Sequence, residues 1–227
     1  MARQPRTHKS HSEPDDVFVA KVLHLGKWAE AHQQLLTVIV VVVAVGMLGV
    51  VYYSNFRANL DQQAATELEQ VYQSVSIQDL EGARGQLATF LERFGGTAFE
   101  AEARLLLGEL YLRDGSPQQA QAVLRPLGES PREPIEFQAA ALLGAALEED
   151  RQWSEAEDVY MRIADRSDLD FQVRAALAAA ARIRQDQGDP EGAVALYQRL
   201  VDDFEDGDPQ RGLYQMRIEE IRSANRT

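Results

Sequence analysis

AEARLLLGELYLRDGSPQQAQAVL (101–124), FQAAALLGAALEEDRQWSEAEDVY (137–160) and RAALAAAARIRQDQGDPEGAVALY (174–197) align without a gap. Gly108 meets Gly144 and Ala181, Ala120 meets Ala156 and Ala193, and Leu124 meets Tyr160 and Tyr197, at offsets of 36 and then 37 residues. EGARGQL (81–87) is a fainter copy, with Ala83 and Leu87 lying 37 residues before Ala120 and Leu124. A period of this length, met four times, marks a solenoid in which each unit buries its apolar face against the next.

The residue types suit a two-helix hairpin. Small residues on the first helix (Gly108, Gly144, Ala181) and on the second (Ala120, Ala156, Ala193) permit close approach. The large residue one turn later (Leu124, Tyr160, Tyr197) is expected to fill the gap toward the next hairpin. DGSPQQA and QGDPEGA each supply a helix-ending glycine, then Ser116 or Asp189 as N-cap, then proline at the first helical position. The pattern resembles the tetratricopeptide repeat, whose own period is about 34 residues. The Trp usual near the start and the Pro usual at the end are missing. The expected fold is all-α: about four hairpins and a C-terminal capping helix, PQRGLYQMRIEEIRSA (209–224), with Leu213, Met216 and Ile221 facing inward.

Ahead of the repeats, LLTVIVVVVAVGMLGVVYY (35–53) holds no charge. Nineteen residues of helix span about 28 Å, close to the roughly 30 Å hydrocarbon core of a bilayer. Valine is a poor helix former in water, but lipid forces the backbone to satisfy its own hydrogen bonds. The 34-residue lead and the absence of a small-x-small site in SNFRANL argue for a signal anchor over a cleaved peptide. Five basic residues precede the run, whereas Arg57 is the only one in the first twenty positions beyond it. The positive-inside rule therefore places residues 1–34 in the cytoplasm and 54–227 across the membrane. SEPDDVFVAKVLHLGKWAEAHQQ (12–34) reads as a short amphipathic helix, either lying on the membrane surface or merely connecting.

Composition removes most enzyme chemistry from the exported part. The chain has no cysteine, and its four histidines and three lysines all precede residue 33. Beyond Tyr53 there is thus no Ser-His or Cys-His pair, no Schiff-base lysine, and no zinc site with His or Cys ligands. That part carries 18 arginines against 32 acids, a balance of −14, which disfavours nucleic acid. The acidic DDFEDGDP (202–209) fails the calcium-loop pattern because Phe204 takes the third ligand position. No cofactor, metal or catalytic residue is expected.

Amphipathic lead, single span, hairpins and final helix together resemble the YfgM-like family, ancillary subunits of the bacterial Sec translocon with a periplasmic repeat domain. VAKVLHLGKWAEAHQQLLTVIVVVVAVGMLGVVYYSN and YQMRIEEI are the most recognisable parts, and MARQPRTHKSHS is additional to the family plan. The resemblance implies an inner-membrane location. It also implies association with translocon subunits and with a membrane-anchored periplasmic chaperone of the prolyl-isomerase type.

In tetratricopeptide domains the first helix of each hairpin lines the concave face. Carried over, this gives Leu105, Glu109 and Leu112, then Ala141, Ala145 and Glu148, then Ala178, Arg182 and Gln185. The set is apolar with an acidic edge and suits an apolar or basic segment, such as a partner helix. The same residues could instead simply pack helix on helix. Two roles stay open for the chain: an adaptor for secreted or membrane protein biogenesis, or an envelope-assembly scaffold binding cell-wall or outer-membrane machinery.

Overall fold

The computed structural model describes residues 32–205 and 207–225, so nearly all of the expected amphipathic lead lies outside the described residues. Nine helices are described: α1 (Gln33–Ser76), α2 (Leu80–Phe94), α3 (Glu100–Arg113), α4 (Pro117–Gly128), α5 (Pro134–Glu149), α6 (Trp153–Arg166), α7 (Asp170–Asp186), α8 (Pro190–Asp202) and α9 (Pro209–Ala224). No strand occurs among the described residues. Contacts divide the chain into two units, Met1–Ala58 and Asn59–Thr227, and α1 contributes to both.

In the first unit, the described side chains of the apolar run are exposed, from Leu35 through Tyr53. Among the described residues, α1 is the one helix long and apolar enough to cross a membrane. Just past the run, the Tyr53 hydroxyl accepts a hydrogen bond from Arg57 Nε at 3.0 Å.

The second unit is the expected stack. The C-terminal part of α1 pairs with α2, α3 with α4, α5 with α6 and α7 with α8, and α9 closes the end against α8. Prolines at the first position of α4, α5, α8 and α9 start those helices where a missing N–H costs nothing. Asp189 accepts a hydrogen bond from the Gly192 N–H and caps α8, and Asp79 caps α2 in the same way. Ser116 holds the equivalent place before α4, but its hydroxyl turns to Asp114 Oδ2 at 3.2 Å instead of capping.

Between the two helices of each hairpin one residue adopts a left-handed backbone: Gln78, Gly115, Arg151 and Gly188, at φ of 63°, 68°, 58° and 77°. Their spacing repeats the period seen in the sequence. Buried Leu87, Leu107, Leu124, Leu143, Leu147, Leu177 and Leu200 run through the stack, each such side chain worth about 1.5–3 kcal/mol of transfer free energy.

Leu124 and Tyr160 share clusters with residues of the next hairpin and also close on the small residue of their own: a β-carbon built on Gly108 would lie 2.5 Å from Leu124 Cγ. One expectation needs correction. In α9 the inward residues are Ile218 and Ile221, with Tyr214 half-buried, while Leu213 and Met216 are 57% and 66% exposed. The helix carries two apolar stripes, and the one that faces the stack is branched at Cβ. Phe204 is buried and stacked on Tyr214 at 5.9 Å, so the acidic turn before α9 is an anchored connection.

Candidate functional site

Successive first helices of the hairpins touch, α3 with α5 and α5 with α7, which brings the nine candidate residues onto neighbouring elements. Three candidates share in packing: Leu105, Leu112 and Ala178 lie partly buried against the central core. Ala141 is exposed and Ala145 half-buried.

The charged candidates are tied to partners. Glu109 pairs with Arg113 one turn on, at 2.6 Å. Glu148 on α5 receives both hydrogen bonds from Arg182 Nη2 on α7, at 2.9 and 2.7 Å, and its carboxylate side chain is largely covered. The Tyr160 hydroxyl also bonds to Glu148, and burial, then this carboxylate, pushes its ionisation far above the usual tyrosine range. The same Glu148 bond raises the Arg182 guanidinium. Gln185 takes the equivalent place one repeat later and accepts from Arg217 Nη2 of α9 at 3.3 Å. These bridges fix adjacent first helices relative to one another, and they consume most of the expected acidic edge.

A groove of about 340 Å³ opens between α5 and α7, over α6. Phe137, Ala141, Tyr160, Ile163, Phe171 and Ala175 give it an apolar lining, and Gln138 and Gln172 give it polar edges. Phe171, in the first turn of α7, is 67% exposed. Of the nine candidates only Ala141 lines this groove. The register of the repeats does not reveal Phe171, because no other hairpin has an aromatic there; an isolated phenylalanine in the polar start DFQVR was the available signal. Leu213, Met216 and Tyr214, with Tyr197 and Arg217, line a second, shallower depression on α9. Among the described residues no cluster of His, Cys, Asp and Glu is arranged to hold a metal.

The tetratricopeptide repeat-like domain family matches residues 27–223. Nothing among curated proteins matches the sequence. Two solved structures are similar in fold. One is a Podospora anserina kinesin light chain structure of nearly identical TPR-like repeats, 18% identical, covering 73% of this chain and 88% of that one, at a TM-score of 0.56. The other is a MamA double mutant from RS-1, 16% identical, covering 71% of this chain and 96% of that one, at a TM-score of 0.51. At these identities the likeness is one of fold.

Proposed function

The chain belongs to the tetratricopeptide repeat-like domain family, and from that premise we propose that it is a membrane-anchored adaptor that binds protein on the face formed by α3, α5 and α7. The fold is of a kind that typically serves as a non-catalytic interaction scaffold. The observation that carries the reading is the apolar groove between α5 and α7, with Phe171 standing exposed at its edge. A large apolar side chain left in water inside a concavity is what a docking surface requires and a purely structural seam does not.

The exposed apolar helix α1 and the charge asymmetry around it support a single-pass protein with residues 1–34 in the cytoplasm, 35–53 in the bilayer and 54–227 in the periplasm. The resemblance of the whole plan to translocon-associated subunits supports work beside the Sec translocon and a periplasmic chaperone, assisting secreted or membrane proteins. In-cell photo-crosslinking from Phe171→p-benzoylphenylalanine, with the captured chains identified by mass spectrometry, tests this. Capture of translocon or chaperone subunits is the expected result. Capture of cell-wall or outer-membrane assembly proteins instead would move the chain to the scaffold role, and capture from α8 but not from Phe171 would remove the groove from the account.

A further inference from the structure

The face between α5 and α7 is apolar at one end and acidic at the other. Its apolar end is the groove under Phe171, near the start of both helices. Toward the other end, Glu149 and Asp186 occupy equivalent positions of successive repeats, 37 residues apart. Both are exposed and neither makes a hydrogen bond or close ion pair among the described residues, although Asp186 feels the charge of Arg182 one turn before it. The helix termini make this placement unusual. Each helix from α2 to α9 carries an arginine in its last turn except α5, which has none and ends on Glu148 and Glu149. Acids at a helix C-terminus oppose the helix dipole, so local stability does not account for them. Arg182 compensates Glu148, and nothing of that kind compensates Glu149.

We infer that the occupant of this face is a cationic amphipathic segment of a partner protein. An apolar side chain of leucine or phenylalanine size enters the groove, and lysine or arginine side chains reach Glu149 and Asp186. The eight residues from Ala141 to Glu149 set the separation of the two contacts at about 12 Å along the helix. That distance corresponds to roughly eight residues of a docked helix or about four of an extended strand. The wider field agrees: residues beyond Tyr53 carry a balance of −14, which attracts cationic segments and repels acidic ones. The inference rests on the protein-docking role proposed above and gives that role its partner chemistry.

The test uses the full chain in zwitterionic phosphatidylcholine nanodiscs, with empty discs subtracted. The probes are three fluorescein-labelled twelve-residue peptides read by anisotropy. The first carries two leucines at one end and three lysines eight residues away; the second has glutamate for lysine; the third has serine for leucine. The expected result is binding of the first peptide, weakened by added salt, with the other two at least about tenfold weaker. Phe171→Glu and the pair Glu149→Gln with Asp186→Asn should each weaken the first peptide about tenfold. Both sites are exposed, and an unchanged helical circular dichroism spectrum confirms that the variants are folded. Equal binding of the glutamate peptide, or indifference to the Glu149 and Asp186 pair, overturns the inference. The crosslinking from Phe171 separates the two levels. If the captured segment lacks lysine and arginine, the cationic partner is wrong and the docking role stands; if Phe171 captures nothing, the docking role itself fails.

Discussion

Tyr160 lies over Gly144 so closely that a β-carbon on the glycine would sit 2.6 Å from the ring Cζ, inside van der Waals contact. The glycine thus admits the larger ring, as Gly108 admits Leu124. Gly144→Ala should therefore lower the melting temperature despite alanine's better helix propensity. Overpacking costs about 1–3 kcal/mol and the propensity gain returns at most about 1 kcal/mol. In the double variant Gly144→Ala, Tyr160→Ala the clash should be removed, and a thermal melt of the four proteins checks the coupling.

Gln78 and Arg151 occupy left-handed turns that Gly115 and Gly188 occupy elsewhere. A side chain there costs about 1–2 kcal/mol. Arg151→Gly should accordingly stabilise the chain by about 1 kcal/mol, and Gly188→Ala should destabilise it by a similar amount. Denaturant midpoints at constant slope read both.

Acid should loosen the stack. The Glu155 carboxyl is held below its ordinary value of 4.5 by the hydrogen bond from Arg125, and Glu100 is held down by the Gly96 N–H and then by Arg104. Groups depressed in the folded state contribute stability above the unfolded value and lose it as pH falls through the folded one. The melting temperature should stay level from pH 7 to 5 and decline below about 4.5. Glu100→Gln with Glu155→Gln should flatten that decline and lower the plateau at pH 7.

Removing Arg182 separates stability from recognition. The Glu148 carboxylate is largely covered, so Arg182→Ala leaves a poorly solvated charge and should cost about 1–3 kcal/mol in a chemical melt. The freed carboxylate adds negative charge to the face, and the lysine-bearing peptide should bind more tightly than to the unaltered protein.

Topology has a direct readout. Alkaline phosphatase fused after Thr227 should be active in a bacterial host, and the same enzyme fused within residues 1–34 should be silent. The opposite pattern would place the repeats in the cytoplasm.

The repeat architecture was legible because its determinants are local and periodic: Gly108, Gly144 and Ala181 recur with Ala120, Ala156 and Ala193, and four hairpins follow. The left-handed turns of the first and third hairpins were not, since Gln78 and Arg151 lack the glycine that signals them. The α9 register was ambiguous for another reason. Leu213 and Met216 form one apolar stripe and Ile218 and Ile221 another, and only packing on α8 chooses between them. The face proposed for docking was legible in its helices but not in its details. Repeat register located Ala141, Glu148 and Arg182, yet ion pairing across α5 and α7 and the exposure of Phe171 depend on contacts between repeats.

The walls of the groove are built largely of methyl groups, above Tyr160 and Ile163 of α6. Ala141 and Ala175 are exposed, while the leucines beneath, Leu143 and Leu177, are fully covered. Enlarging one of these alanines would reshape the cavity without disturbing the packing that holds the hairpins together. Ala141, Phe171 and Ala175 are thus open to change without touching the core, whereas Phe137, Tyr160 and Ile163 line the groove and pack the hairpins at once.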